Sequence, residues 1–181
     1  YTHAYLINQG LPLPVGMISA VALSAVIGGL VGIPALRMTG IYLAVATLAF
    51  AVIVEQVLVH WESVTGGFRG MPVPKANLFG LNLSEPTAFY LMCLVLLIVC
   101  LLLVMNLLRS PTGRAMTAIR DSETSAESMG INLALTKTLA FALSAALTGL
   151  AGALFAHRLN YLAPDAFTII TSIQLLLMVV V

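Results

Sequence analysis

Charge is what this sequence has least of. Only 8% of its 181 residues are Asp, Glu, Lys or Arg, against about 25% in soluble proteins. With 60% of the chain hydrophobic, a soluble domain of this size could not hide its apolar surface. A protein dissolved in hydrocarbon does not have to. Eight basic and seven acidic residues nearly cancel, to a net charge of +1. No strongly basic face remains to bind nucleic acid. Cysteine is almost as scarce: Cys93 and Cys100 share one apolar run and read as small apolar fillers on a helix, not as a disulfide framework. His3, His60 and His157 are far apart with no ligand spacing, so no metal site is legible. No basic region precedes the first apolar stretch, so it is not a signal peptide. The chain opens at Tyr1 without Met and stops at Val181 inside an apolar run, which suggests a piece of a longer protein, cut at both ends.

What is present is apolar run after apolar run. A membrane-crossing helix needs about 20 mostly apolar residues. Five stretches qualify or nearly do: residues 13–36, 41–61, 87–108, 138–157, and one starting near Phe167. A closed barrel would alternate apolar and polar residues, and runs such as 94–105 do not. The expected fold class is therefore all-α, a polytopic transmembrane helical bundle with about five spans. Basic residues near span ends favour the cytoplasm. Arg37, Arg109, Arg114, Arg120 and Lys137 fall in connections 34–40 and 109–137; Arg69, Lys75 and Arg158 fall in 62–86 and 158–166. Five against three places the first pair of connections inside. Trp61 fits an interfacial anchor at the outer end of its helix.

Two helices carry small residues every fourth position. One stripe is Ala20, Ser24, Gly28, Gly32. The other is Ser144, Thr148, Gly152, Ala156, with Ala145, Gly149 and Ala153 alongside. Such stripes let helices approach closely in lipid. They also suit a face that slides or lines a pathway, and the two readings are compatible. Asn106 is expected to make a helix-to-helix hydrogen bond. Glu55 is an acid inside a span, a functional candidate by default. It reads either as a contact for a substrate ammonium group or as a headgroup-level or bundle-paired carboxylate. Thr65, Gly66, Gly67 and Gly70 read either as a turn whose backbone N–H groups line a pathway mouth and meet a carboxylate, or as a plain surface turn.

The connection 109–137 is the most informative stretch. Pro111 and Gly113 should break the preceding helix. Met116, Ile119, Ala126 and Met129 recur at helical spacing, Thr124 and Glu127 resemble a capping box, and Gly130 is a helix stop. Two short amphipathic helices parallel to the membrane follow, broken near Asp121 and Ser122. A helix held by anionic lipid would be mostly Lys and Arg. The mixed charges of Arg120, Asp121, Glu123 and Glu127 favour a protein partner.

Gly113-Arg-Ala-Met-Thr-Ala-Ile-Arg-Asp, then Ala126-Glu-Ser-Met-Gly-Ile-Asn, then Lys137-Thr-Leu-Ala-Phe-Ala-Leu-Ser-Ala-Ala-Leu-Thr-Gly-Leu-Ala-Gly-Ala-Leu resemble the permeases of bacterial branched-chain amino acid ABC transporters. Gly40-Ile-Tyr-Leu-Ala-Val-Ala-Thr-Leu-Ala-Phe and Thr65-Gly-Gly-Phe-Arg-Gly agree, in family order. The resemblance implies that residues 1–181 are part of one permease domain in a bacterial inner membrane. It implies a second permease subunit, two cytoplasmic ATPase subunits carrying ATP and Mg, and an extracytoplasmic substrate-binding protein. The chain itself would bind no cofactor and catalyse no reaction, consistent with its lack of a Gly-x-x-x-x-Gly-Lys-Ser/Thr loop. Residues 109–137 would be the coupling loop, with Gly113, Arg114, Ala118, Ile119, Arg120, Asp121, Ala126, Glu127 and Gly130 meeting the ATPase. Glu55, Thr65, Gly66, Gly67, Ser144 and Thr148 are the pathway candidates. The same architecture importing urea, amides or another small polar solute is the near alternative. An ion-coupled secondary transporter is the distant one, disfavoured because no other charge lies inside a span. A membrane-embedded enzyme would need clustered acid, base or metal residues in the spans, and there are none.

Overall fold

The computed structural model describes residues 1–36, 38, 41–74, 77–78, 81–82, 85–164 and 169–180. Arg37, Gly40, Lys75, Phe167 and Val181 lie outside them. The helices are α1 (Thr2–Asn8), α2 (Leu13–Ala35), α3 (Ile41–His60), α4 (Glu62–Thr65), α5 (Pro86–Arg109), α6 (Pro111–Asp121), α7 (Glu123–Ser128), α8 (Leu133–Leu159) and α9 (Ile169–Val180). Helices α2, α3, α5 and α8 are long and apolar enough to cross a membrane. The 12-residue α9 stands where the fifth span is expected. The fold is an all-α helical bundle. Prolines set several helix ends: Pro86 and Pro111 occupy first-turn positions, where the missing N–H costs nothing.

Helices α2 and α8 run antiparallel in the tightest contact of the bundle. Their close approach follows from absent side chains. A Cβ on Gly28 would overlap that of Ala145 and lie 2.9 Å from the Phe141 carbonyl oxygen. One on Gly149 would overlap the side chain of Ser24. One on Gly32 would lie 3.2 Å from the Thr138 Cα. In lipid no hydrophobic force draws helices together, so this dispersion contact is what binds the pair. The register differs from the expected one on α8. Ala145, Gly149 and Ala153 face α2, while Ser144, Thr148 and Gly152 are exposed. Ala88, Met92 and Leu96 of the bulkier α5 pack on the Leu13, Met17, Ala20, Ala153 cluster.

Two short strands close one end. β1 (Met71–Pro72) pairs antiparallel with β4 (Tyr161–Leu162), Met71 opposite Leu162. β2 (Asn77–Leu78) pairs with β3 (Leu81–Asn82). Ala4, Met71, Val73, Ala156 and Leu162 form a second small core under α1. The loops after α3 and α8 therefore meet at this end, and α6–α7 lie at the other. That arrangement matches the pairing of connections drawn from the basic residues. Helix α8 begins at Leu133, five residues before the expected start, because the Asn132 side chain caps it by accepting the Leu135 N–H at 3.0 Å.

Candidate functional site

The α6–α7 segment is built as a bracket fastened at both ends. At its start, Ser110 Oγ donates to the Leu107 carbonyl at 2.6 Å and accepts the Gly113 N–H at 3.3 Å. One hydroxyl thus ends α5 and caps α6. Gly113 is buried at the elbow, where a Cβ would overlap the Leu107 carbonyl and the Leu108 Cα. The break between α6 and α7 falls at Ser122, as the polar run near Asp121 suggests. The expected capping box does not form: Ser122, not Thr124, is the cap, accepting the Ser125 N–H at 3.3 Å. Gly130 stops the segment with φ +83°.

Ile119 and Ala126 are buried, α6 and α7 both pack against α8, and the Ile131 N–H closes on the Ala126 carbonyl at 3.1 Å. Lys137 of α8 reaches Glu123 at 2.7 Å. This ion pair was not singled out from the sequence, since its members stand fourteen positions apart. The coupling candidates therefore divide. Gly113, Ile119 and Ala126 hold the bracket to the bundle, and Ala118 is half-buried. Arg114, Arg120, Asp121, Glu127 and Gly130 are exposed, joined by Met129 at 81% exposure. Arg120 and Asp121 pair at 3.2 Å, both in water, which is worth little stability. They leave an exposed surface of mixed sign.

The Thr65 loop at the other end satisfies itself. Thr65 is 2% exposed. Its Oγ1 lies 2.6 Å from the Leu58 carbonyl and 2.8 Å from that of Trp61, and accepts the Gly67 N–H at 3.2 Å. The Gly66 N–H goes to Glu62 and the Gly70 N–H to Gly67. These three amides, counted as pathway donors if free, are spent on the loop's own turn. A Cβ on Gly70, where φ is +66°, would overlap the Leu162 carbonyl. Gly70→Ala should therefore part β1 from β4, at about 1–3 kcal/mol; thermal unfolding of the purified protein checks it, and an unchanged midpoint would show that the loop yields. Glu55 is half-buried on α3 and makes no ion pair among the described residues. Asn106 makes no side-chain hydrogen bond among them; it lines an apolar cleft of about 610 Å³ between α5, α8 and α2, rimmed by Arg109 and Ser110.

The family described as "Branched-chain amino acid transport system / permease component" matches the chain over residues 1–181. The chain belongs to this family. It is 37% identical to the high-affinity branched-chain amino acid transport system permease protein LivM of Salmonella typhimurium, over 94% of this chain and 44% of that one. Against LivM of Escherichia coli the identity is 35%, over 98% and 47%. The autoinducer 2 import system permease protein LsrC of Enterobacter sp. is 30% identical over 86% and 44%. The chain spans about half the length of these curated relatives. No solved structure matches it. Within the permease family, then, this chain supplies a tight α2–α8 pair, a bracket attached at both its ends, and an α8 face bearing Ser144, Thr148 and Gly152 that no described helix covers.

Proposed function

We propose that the chain is the membrane-embedded core of a permease subunit in an ATP-driven importer of branched-chain amino acids. It would work with a second permease, two cytoplasmic ATPases that hold ATP and Mg, and an extracytoplasmic binding protein. The observation that carries this reading is the bracket. A surface that is fastened to α5 by Ser110 and Gly113, and to α8 by the packing of both its helices and by Lys137–Glu123, transmits displacement instead of absorbing it. Closure of an ATPase pair against Arg114, Arg120, Asp121, Glu127 and Met129 would tilt both spans and switch access to the pathway. The basic residues put this end in the cytoplasm, so the β1–β4 end faces outward. Ser144 and Thr148 on the open α8 face, with Glu55 and the Thr65–Gly67 loop nearer the outer end, are the pathway residues of this proposal. Catalysis belongs to the ATPases.

A cargo other than a branched-chain amino acid, such as urea, an amide or another small polar solute, keeps support from the similarity to LsrC, a permease named for a different import system. The test is uptake of labelled leucine by vesicles carrying the complete transporter. The double reversal Arg120→Glu with Glu127→Lys should cut uptake about tenfold or more, the weight of one interface hot spot. Its level in the membrane should not change, because both side chains are exposed. Uptake that continues without any ATPase subunit would overturn the importer reading.

A further inference from the structure

Two histidines that lie 154 positions apart in the chain meet in the structure. Nε2 of His3, on α1, is 2.7 Å from Nε2 of His157, at the end of α8. The rings stand edge to face, with an interplanar angle of 81°. His3 is 1% exposed and His157 8%. The contact ties α1 to the β1–β4 end of the α2–α8 pair.

At 2.7 Å one Nε2 donates its proton and the other accepts it, so a single N–H bridges the two rings. Nδ1 of His3 is buried against Gly16 and makes no hydrogen bond among the described residues. The pair is complete with both rings neutral, and a further proton would place a full charge out of water.

We propose that His3 and His157 form a buried, acid-sensitive latch, a proton-binding site that holds α1 on the α2–α8 pair while both rings are neutral. Beyond the Gly16 backbone, the surroundings give a proton no help. The first turns of α2 carry no titratable side chain. Helix α1 brings Tyr5, with Tyr1 just before it, α8 brings the exposed Arg158, and the loop before β1 brings the exposed Arg69. No carboxylate acts on His3. Burial first, then the neighbouring His157, pull His3 down to about 4. A base held below its unfolded value stabilises the closed form above that value. The stability is lost as pH falls from about 6.5 toward 4, where the opened ring binds the proton and the closed one does not.

Hydrogen exchange on the full-length permease in lipid nanodiscs tests this, read on peptides covering α1 and corrected for intrinsic exchange. Protection of α1 should be about 30-fold lower at pH 5 than at pH 7.5, the factor set by a ring moved from about 6.5 to about 4. Peptides from α6–α7 should not change. His3→Gln keeps a donor for His157 and removes one of the two titrating rings, so the fall in its α1 protection should be clearly smaller than in the wild type. Equal protection at both pH values in the wild type, or an equal fall in His3→Gln, overturns the latch. Should that variant fail to accumulate, nitrogen-15 NMR of histidine-labelled wild type decides: a His3 midpoint near 4 supports the latch, and an ordinary midpoint near 6.5 overturns it. Neither readout depends on which solute the protein transports.

Discussion

Alanine at Gly113 should uncouple the permease while leaving it in the membrane. The added Cβ has nowhere to go: the atoms it would overlap are the backbone of Leu107 and Leu108, which no rotamer change can clear. The elbow must open, at about 1–3 kcal/mol. Opening it breaks the Ser110 hydroxyl's double engagement with the Leu107 carbonyl and the Gly113 N–H, so α6 swings relative to α5. The α2–α8 contact is remote from this elbow, and the bundle should persist. Leucine uptake and transport-stimulated ATP hydrolysis should then fall together, by about tenfold for each 1.4 kcal/mol of bias against the docked arrangement. Full stimulation in Gly113→Ala would mean that the bracket flexes and that motion does not pass through α5.

Much of this architecture was legible because lipid imposes simple rules on sequence. Four spans show as unbroken apolar runs, and Pro111, Ser122 and Gly130 mark the ends of the bracket's helices by local chemistry. The capping box failed for a local reason too. Thr124 and Glu127 satisfy the pattern, but Ser122 stands two residues earlier with extended backbone, φ −161°, and takes the cap first. The register of α8 was a closer matter. A helix this rich in small residues offers two adjacent stripes, and spacing alone cannot choose between them. Phe141 marks the choice: its side chain fits beside Gly32 and its carbonyl beside Gly28, with Ala145 and Gly149 turned toward α2.

What stayed hidden was long-range. Nothing in the spacing of His3 and His157, or of Met71 and Leu162, announces that they meet, because the meeting depends on how α8 returns to the end where α3 and the Thr65 loop finish. Lys137 was counted as one of five inward charges, yet it is tied to Glu123. The Thr65 loop shows the opposite limit. Its glycines were correctly conspicuous, but their use was not readable: Gly70 is glycine because the Leu162 carbonyl lies against it, a fact of packing that a motif cannot express.

Leucine at Gly28 and leucine at Gly152 should give opposite results, and the contrast separates what holds the bundle from what it does. At Gly28 the new side chain meets Ala145 and the Phe141 carbonyl, both on the tightest helix contact in the protein. Helices α2 and α8 must move apart, which forfeits dispersion contacts along the whole stripe. The loss should be at least about 1–3 kcal/mol, seen as a lower midpoint in thermal unfolding and less protein in the membrane. At Gly152 nothing lies within 4 Å of a Cβ. Leucine there should leave the midpoint unchanged or raise it, since Gly costs a helix interior about 1 kcal/mol relative to good helix formers. If Ser144, Thr148 and Gly152 line the pathway, the same leucine narrows it, and uptake should fall in a fully folded protein. Normal uptake by a stable Gly152→Leu permease would remove that face from the pathway and leave α8 with a packing role alone.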